Sequence, residues 1–232
     1  MKIALLGYGK MGKAIEEIAT AQGHEIVLAT SDCNASTNFN GAHVAIEFSV
    51  PNAAYNNCKM AIDAGIPVIS GTTGWLKEYE RLVAHCRINN GAFLYASNFS
   101  LGVNIFFAIN KQLSRMLYNK GYTAQMKEIH HTQKLDAPSG TAITLANQII
   151  ENTDYDSWSL ENKQKDSIFI DTQREGDVKG THTVEYQSVD DSIEITHRAH
   201  TRDGFAKGAL TAAAWIIGKK GVFKMNDVLN IR

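Results

Sequence analysis

Short apolar segments recur along the first hundred residues, and amphipathic segments separate them. The apolar segments have the length and continuity of buried parallel strands and lie at 2–6, 25–29, 44–48, 67–70 and 93–95. The segments between them place their apolar residues on one helical face, as Met11, Ile15 and Ala19 do, and as stretches 52–64 and 75–87 do. This alternation predicts an α/β fold, with a Rossmann-type parallel sheet and helices on both of its faces.

The pattern changes near residue 98 and predicts a second domain of the α+β class. Helices are expected at about 102–118 and from Ser139 onward, and strands at 123–130, 167–171, 182–188 and 192–197. The spacing of these strands indicates an antiparallel or mixed sheet. The polar segment 151–166 is predicted to be a solvated loop.

These patterns divide the chain into two functional regions. Residues 1–98 are predicted to form a dinucleotide-binding domain, and residues 99–202 a domain for substrate binding and oligomerisation. An alanine-rich helix is predicted at about 205–217. The C-terminal helical segment, 203–232, is expected to return to the first domain.

Charge and apolar run length exclude several classes of protein. The chain of 232 residues has a formal net charge of −1, without the basic excess that nucleic-acid binding normally requires. No apolar run approaches the roughly 18 residues of a membrane-spanning helix, and the first residues lack the regions of a signal peptide. Cys33, Cys58 and Cys86 show neither a disulfide framework nor metal-site spacing. We expect a cytoplasmic protein that binds neither nucleic acid nor membrane.

The turn after the first predicted strand has the glycine spacing of a dinucleotide-binding loop. Gly7, Gly9 and Gly12 would allow a tight turn and a close approach of backbone N–H groups to a pyrophosphate at a helix N-terminus. Asp32 follows the second strand, where an acidic residue is expected to contact ribose hydroxyls. A structural glycine turn in another α/β protein is the alternative. Gly71–Gly74 follows the fourth strand and offers donors at the ligand-binding edge, although a simple turn would have the same composition.

The segment from Glu128 to Ala142 concentrates residues suited to proton transfer and anion binding. His130 and His131 would point to opposite sides of a strand, so they act together only if the chain leaves the strand there. A zinc site lacks a third ligand at a sensible spacing, and a packed structural histidine is the ordinary interpretation of either residue. Ser139–Thr141 opens a predicted helix after a proline and predicts an anion pocket, to which Lys134 adds a cation. These features suit a small carboxylate substrate.

Two long segments, Glu128–Ala142 and Ala96–Asn104, closely resemble motifs of the dihydrodipicolinate reductases. Further matches follow the order found in that family, at Gly7–Gly12, Gly71–Gly74, Arg174–His182 and Ile195–Ala199. The resemblance spans nearly the whole chain, which is short for the family and compact in the region 31–42.

The resemblance implies a role for each candidate site residue. His130 would be the acid/base catalyst and Lys134 the proton donor. The substrate carboxylates would be bound by His131, Ser139, Gly140 and Thr141. Asp32 would contact the adenosine ribose, and the rest of the nicotinamide dinucleotide would be held by Gly7, Tyr8, Gly9, Lys10, Met11, Gly12, Gly71, Thr72, Thr73, Ala96, Ser97, Asn98 and Phe99.

The resemblance also implies a reaction. It is the NAD(P)H-dependent reduction of 4-hydroxy-tetrahydrodipicolinate to tetrahydrodipicolinate, with loss of water, by a homotetramer of lysine and diaminopimelate biosynthesis. Neither Lys nor Arg occurs between Lys13 and Lys59, and Asp32 would repel a 2′-phosphate, so we expect NADH to be used at least as well as NADPH. Lys10 and Asn34 are among the groups that would favour the phosphate.

Two alternatives remain from the sequence. One is another two-domain reductase of amino-acid metabolism, of the aspartate-semialdehyde or homoserine type. An aspartate-semialdehyde enzyme would need an activated cysteine, and no cysteine here has suitable neighbours in sequence. The other is a non-catalytic NAD(P)-sensing protein, which would have no need of His130 and Lys134. His182 and His197 fall in predicted strands, where a packed histidine is the default.

Overall fold

The chain folds into two compact units, one of which is interrupted in sequence by the other. The first comprises Met1–Leu101 together with Asp203–Arg232, and the second comprises Gly102–Arg202. The structure is a computed structural model that describes residues 1–31, 33–34, 36–161, 166–201 and 203–231. Among these residues, no helix has the length and apolar character needed to cross a membrane.

A six-stranded sheet forms the centre of the first unit. Numbered along the whole chain, its strands are β1 (Lys2–Leu6), β2 (Glu25–Thr30), β3 (Val44–Glu47), β4 (Val68–Ser70), β5 (Ala92–Tyr95) and β11 (Gly221–Phe223). The order across the sheet is β11-β5-β4-β3-β1-β2, and every neighbouring pair is parallel. Because the chain runs from β1 to β2 on one side and then crosses to β3 on the other, the strand order reverses between β1 and β3. Ligands of open α/β sheets bind at the carboxyl ends of the strands at such a point.

Helices cover both faces of this sheet. They are α1 (Lys10–Ala21), α2 (Pro51–Asp63), a 3₁₀ turn (Leu76–Glu78), α3 (Tyr79–Ile88), α6 (Asp203–Ile216) and α7 (Met225–Leu229). Successive residues of a strand point to opposite faces, so each strand serves two cores. Ile3 and Leu5 belong to the core that includes residues of α1 and α6, whereas Ala4 and Leu6 belong to the core that includes residues of α2 and α3.

The second unit is built on a five-stranded mixed sheet. After α4 (Leu101–Leu117), its elements are β6 (Thr123–His130), α5 (Gly140–Ile150), β7 (Ser157–Ser159), β8 (Ser167–Arg174), β9 (Thr181–Gln187) and β10 (Ser192–Arg198). The order across the sheet is β10-β9-β6-β8-β7. The central strand β6 is antiparallel to β9 and parallel to β8. Its alternate residues Ala124 and Met126 join the core that α5 completes with Leu145 and Ile149.

The predicted parallel sheet with flanking helices and the predicted mixed sheet are both confirmed, but several short elements were missed. The segment 151–166 was predicted to be a loop, and the strand β7 inside it shows that this was wrong for Ser157–Ser159. The strands β7 and β11 lack the apolar run that marks β4, and they form because β8 and β5 supply hydrogen-bonding partners. The segment 203–232 was predicted to be helical, but β11 separates α6 from the five-residue helix α7. The strand β8 continues past its predicted end because Thr172–Arg174 pairs with Glu128–His130 of β6.

Candidate active site

The loop between β1 and α1 depends on glycine at two positions for steric reasons. A Cβ on residue 7 would lie 2.0 Å from the carbonyl oxygen of Phe48, and Gly7 has a φ of +108°. A Cβ on residue 12 would lie 2.3 Å from the carbonyl oxygen of Gly7. Gly9 is the N-cap of α1, and a Cβ there would meet no atom within 4 Å. Gly7 and Gly12 therefore shape the turn, whereas Gly9 borders open space at a helix N-terminus.

The glycine loop shares a cavity with the loop that follows β4. The cavity has a volume of about 350 Å³ and is lined by Gly9, Lys10, Met11, Phe48, Ser49, Pro51, Gly71, Thr72 and Thr73. The Phe48 ring lies so close to Gly71 that a Cβ on residue 71 would be 2.1 Å from its Cε1. Two segments that the sequence analysis assigned to the dinucleotide thus lie side by side, at the edge of the sheet where a ligand is expected. A glycine-lined cavity beside a helix N-terminus fits a pyrophosphate group.

A buried carboxylate fastens the two loops after β3 and β4 to each other. Glu47 is 0% exposed, and its Oε1 accepts hydrogen bonds from the Ser49 backbone N–H (2.9 Å), the Ser49 hydroxyl (2.5 Å) and the Thr72 hydroxyl (2.8 Å). Its Oε2 accepts one from the Ser70 hydroxyl at 2.6 Å. The Thr72 side chain is therefore committed to the protein interior. Thr73, which is exposed, is the threonine of this loop that faces solvent.

The other predicted dinucleotide residues have mixed environments. The Tyr8 hydroxyl donates to Glu16 of α1, which raises the pKa of Tyr8. Ala96 follows the last residue of β5, and its N–H donates to the carbonyl of Ser70, the last residue of β4, at 3.1 Å. The Asn98 side chain accepts a hydrogen bond from the Ser100 N–H at 2.9 Å. Ser97 is exposed, and Phe99 is buried with its ring 5.6 Å from that of Phe48. Asp32, the predicted ribose contact, lies outside the described residues.

In the second unit, His130 is the last residue of β6, and the chain leaves the strand immediately after it. His131 therefore lies outside the strand, where side-chain alternation no longer applies, and joint action of the two histidines requires this. The His130 ring is buried and stands edge-on to the His182 ring, with 5.0 Å between the ring centroids. Burial lowers the pKa of His130, while the nearby Glu128 carboxylate opposes that shift. Burial also lowers the pKa of His182, to about 3, so His182 is neutral near pH 7.

Glu128 lies at the centre of this cluster and is 0% exposed. Its Oε2 accepts the Ser139 backbone N–H at 3.0 Å and lies 3.8 Å from His130 Nδ1 and 3.7 Å from His182 Nε2. Its Oε1 accepts a hydrogen bond from the Arg174 guanidinium at 3.4 Å. One carboxylate therefore connects the end of β6, the start of α5 and the end of β8.

Arg174 also fixes the loop that carries Lys134. Its Nε donates to the Lys134 carbonyl at 3.1 Å, and its second terminal nitrogen donates to the Asp136 carbonyl at 2.6 Å. The Lys134 ammonium contacts both carboxylate oxygens of Asp136 at 2.7 Å, and this contact lowers the pKa of Asp136. The predicted proton donor is thus held in a defined loop and paired with a carboxylate that is mostly exposed to solvent.

The N-terminus of α5 forms as the sequence predicts, but Ser139 is turned inward. Its hydroxyl accepts the Ala142 N–H at 3.2 Å, as an N-cap does, and contacts His182 Nε2 at 3.0 Å. The Ser139 backbone N–H is used by Glu128. Ser139 is buried, whereas Gly140 is exposed and Thr141 half-buried, so the latter two border the outer side of the helix start.

Two family models together match nearly the whole chain. The model described as dihydrodipicolinate reductase, N-terminus, matches residues 1–99, and the model of its C-terminus matches residues 102–229. The chain belongs to the dihydrodipicolinate reductase family. This confirms the family inferred from the sequence motifs, and with it the class of NAD(P)H-dependent oxidoreductases.

Individual relatives agree with this assignment. The 4-hydroxy-tetrahydrodipicolinate reductase of Christiangramia forsetii is 50% identical, over 99% of this chain and 98% of its own length, so the short chain is shared with that relative. The enzyme of the same name from Methanoregula boonei is 37% identical over 90% of this chain and 83% of its own. Dipicolinate-bound dihydrodipicolinate reductase from Paenisporosarcina sp. TG-14 has the same fold, with a TM-score of 0.78 at 19% identity and 97% coverage of both chains.

Three residues of the dihydrodipicolinate reductase cluster received no role in the sequence analysis. Glu128, Arg174 and His182 lie on three different strands, and the pairing of β6 with β8 and β9 places Arg174 opposite His130 and His182 opposite Glu128. For Glu128 a signal existed, because strand alternation places it on the same face as the apolar Ala124 and Met126. An acidic residue on an apolar face indicates a buried, partnered charge.

The same pairing changes one argument about metals. The expectation that no third ligand accompanies the histidines rested on sequence spacing, yet Glu128, His130 and His182 bring three donor atoms within 4.8 Å of one another. The carboxylate already accepts hydrogen bonds from Ser139 and Arg174, and His182 already contacts Ser139. We therefore interpret this cluster as an internal hydrogen-bonding and charge network.

Proposed function

We propose that this chain reduces 4-hydroxy-tetrahydrodipicolinate to tetrahydrodipicolinate, with loss of water, using NADH or NADPH. The observation that carries the proposal is the junction in the second unit, where His130, the Lys134 loop and the start of α5 are held together by Glu128 and Arg174. This junction combines proton-transfer groups with a helix N-terminus, the combination that an anionic substrate undergoing reduction requires. The names of the relatives point to the same substrate.

The proposed roles of His130 and Lys134 follow from the proton that the reaction needs. When bound, the dinucleotide supplies a hydride. Addition of hydride to a conjugated carbon leaves an electron-rich centre that must then be protonated. His130 is suited to exchange that proton because the ordinary pKa of histidine lies near neutrality. Burial lowers the pKa of His130, and the Glu128 charge opposes that shift. Lys134, the proposed proton donor, is held in place by Asp136 and by the Arg174 contact to its backbone, and its ammonium also supplies a fixed positive charge.

The proposed carboxylate site is the outer side of the α5 N-terminus, formed by Gly140 and Thr141 with His131 nearby in the chain. The helix dipole and the first-turn N–H groups favour an anion there. Thr141→Val retains the shape and removes a hydroxyl, so it should raise KM for the substrate more than it changes dinucleotide affinity. A planar pyridine dicarboxylate should compete with the substrate. Inhibition that is not competitive would place the carboxylates elsewhere.

The proposed dinucleotide site is the cavity bordered by the glycine loop and the Gly71–Thr73 loop. The pyrophosphate would lie at the N-terminus of α1, which is formed by Gly9, Lys10 and Met11. Gly7 and Gly12 shape the turn behind it. Thr73 and Ser97 present exposed hydroxyls on neighbouring loops, whereas Thr72 supports the site from within. Asp32 keeps its proposed contact with the ribose.

A coupled assay tests the proposed reaction directly. Pyruvate, aspartate semialdehyde and the upstream synthase generate the substrate in the cuvette, and oxidation of NADH or NADPH is followed by absorbance. We expect oxidation that depends on both the synthase and this protein. A rate no higher than that without the protein would rule the function out.

The proposal also includes a homotetramer located in the cytoplasm. The support is the family resemblance, together with a sheet in the second unit whose second face carries the alternate residues Gln125, Phe169 and Glu185. Light scattering after size-exclusion chromatography measures the mass of the assembly, and cell fractionation tests the location. A monomeric mass at micromolar concentration would contradict the tetramer.

A further inference from the structure

The two ring nitrogens of His130 lie in different surroundings. Nδ1 is buried and has no hydrogen-bond partner within the part of the chain that the structure describes. It lies 3.8 Å from Glu128 Oε2, which is beyond hydrogen-bonding distance but close enough for a strong charge effect in a buried site. A nitrogen lone pair facing this carboxylate would be repelled, whereas an N–H bond pointing at it is favoured.

The opposite side of the ring is bordered by a glycine. A Cβ on residue 180 would lie 3.3 Å from Nε2 and 3.4 Å from Cδ2 of His130, and Gly180 has a φ of +147°. The Gly180 carbonyl accepts the Ala199 N–H at 2.8 Å, which fixes the glycine backbone in this place. The Nε2 side of the His130 ring is therefore bordered by a residue without a side chain, Gly180, whereas the Nδ1 side faces the buried carboxylate of Glu128.

We propose that Glu128 is a positioning residue for the proposed acid/base catalyst. Its buried carboxylate keeps a proton on Nδ1 of His130, which leaves Nε2 as the nitrogen that exchanges a proton with the substrate. The inference rests on the proposed function, because it assigns the working atom of the same site. It requires a carboxylate that is fixed and charged, and the neighbours of Glu128 meet both requirements.

Glu128 is held from two directions by donors that are themselves fixed. The Ser139 N–H at the start of α5 binds one oxygen, and Arg174 binds the other. Arg174 cannot turn away freely, because it also donates to three backbone carbonyls, those of Lys134, Gln173 and Asp136. A guanidinium and a helix N-terminus both bring positive charge to these two oxygens.

The other charged and titratable groups around His130 do not replace Glu128 in this role. His182 lies against the ring but is kept neutral by burial, and its Nε2 is turned toward Ser139. Lys134 and Arg174 are cations, which would favour a bare nitrogen facing them. Asp136 is exposed for the most part and is paired with Lys134. Within the described cluster, Glu128 is thus the carboxylate that lies against the His130 ring from the interior.

The first test determines the tautomer of His130 in the wild-type protein by ¹⁵N NMR, with the histidine rings labelled and the pH above the pKa of His130. The variant His130→Gln identifies which signals belong to this residue. We expect a proton on Nδ1 and a bare Nε2. A proton on Nε2 would overturn the proposal. This readout needs no turnover, so it separates the inference from the proposed function, which would fail instead if the wild-type protein did not reduce the substrate.

The second test is the isosteric change Glu128→Gln, which removes the charge and retains a hydrogen-bond acceptor. We expect kcat to fall at least tenfold, with little change in KM for the dinucleotide. The fall should not exceed the loss caused by removing general acid–base catalysis altogether, which is roughly 10²–10⁴-fold. The double variant Glu128→Gln/His130→Gln should be no slower than His130→Gln, because both changes remove the same function. Glu194→Gln, on β10 of the same sheet, is the matched control.

Additive losses in the double variant, or an unchanged tautomer in Glu128→Gln, would contradict the proposal. If that variant does not fold, the wild-type tautomer decides.

Discussion

Each unit of the chain buries a glutamate near the carboxyl end of a strand, and the surroundings of the two differ. Glu47 accepts hydrogen bonds from three hydroxyls and a backbone N–H, all of them neutral donors. Glu128 accepts hydrogen bonds from a guanidinium and a helix N-terminus, with two histidine rings beside it. The first arrangement fastens loops together, while the second has the contacts from which we propose that it also orients an acid/base histidine. Whether a buried carboxylate serves as scaffold or takes part in chemistry is therefore decided by its neighbours.

The comparison predicts that chemistry can be lost from the second unit without loss of dinucleotide binding by the first. His130→Gln should lower kcat by about 10²–10⁴-fold, because it removes general acid–base catalysis. Lys134→Ala should also lower turnover, since it removes a charge directed at the substrate. Dinucleotide affinity, measured by fluorescence titration, should stay unchanged in both. His85→Gln on α3 is the control, and full turnover in either active-site variant would remove that residue from the proposed mechanism.

Within the first unit, replacing either of two glycines of one loop by alanine should have different effects, on stability at residue 7 and on dinucleotide binding at residue 9. Gly7→Ala forces a side chain into a positive-φ position and against the Phe48 carbonyl, so we expect a loss of at least about 1–3 kcal/mol in unfolding free energy from the backbone alone. Gly9→Ala meets no atom of the chain, so its fold should persist while dinucleotide binding weakens. Urea denaturation and fluorescence titration measure the two effects. Equal stability of the two variants would contradict the steric role of Gly7.

The histidine cluster should make the second unit sensitive to acid. The pKa of His182 is about 3 in the folded chain against an ordinary value of 6.5, so between these values the unfolded state binds a proton that the native state does not. Stability should therefore fall as pH decreases below 6.5, by about 1.4 kcal/mol per pH unit for such a group. His182→Gln should make the fall between pH 7 and pH 5 less steep, as measured by urea denaturation.

Other groups contribute to that slope, so the comparison with a control decides the interpretation. Burial also lowers the pKa of His130 and of His197, and their contribution should remain in the variant. His43→Gln changes an exposed histidine of the first unit and should leave the slope as it is in the wild-type protein. Identical slopes for His182→Gln and wild type would show that the burial of His182 does not govern acid stability.

The smallest predicted effect concerns the choice of dinucleotide. NADH should be used at least as well as NADPH, because Asp32 would repel a 2′-phosphate and the chain has no Lys or Arg between Lys13 and Lys59. Steady-state kinetics with both dinucleotides give the ratio of kcat/KM. A tenfold preference for NADPH, equivalent to about 1.4 kcal/mol, would show that Lys10 and neutral donors such as Asn34 outweigh the carboxylate.

The two regions also differ in how much the sequence reveals. The glycine loop was predictable because turn, helix start and spacing are all local in the chain, and the structure shows the same strand, loop and helix. The network around His130 was only partly predictable, because Arg174 and His182 reach it through strand pairings that span many residues. Thr72 and Ser139 were expected to face ligands, yet their hydroxyls bond to buried carboxylate or imidazole groups. A sequence motif indicates which residues gather at a site, but not which of them point outward.

The interruption of the first unit has a consequence for the order in which the chain folds during synthesis. The residues Ala209, Leu210 and Ile216 of α6 belong to the core that packs on Ile46 and Leu94, and β11 completes the sheet beside β5. At about 5–20 residues per second, the ribosome needs on the order of 5–20 s to pass from the end of the first segment to α6. Throughout that interval the face of the nascent sheet that α1 covers lacks its second helix, α6, whereas Gly102–Arg202 is continuous and has its own core. The unit that begins the chain can thus complete its sheet and core only after the whole of the other unit has been translated.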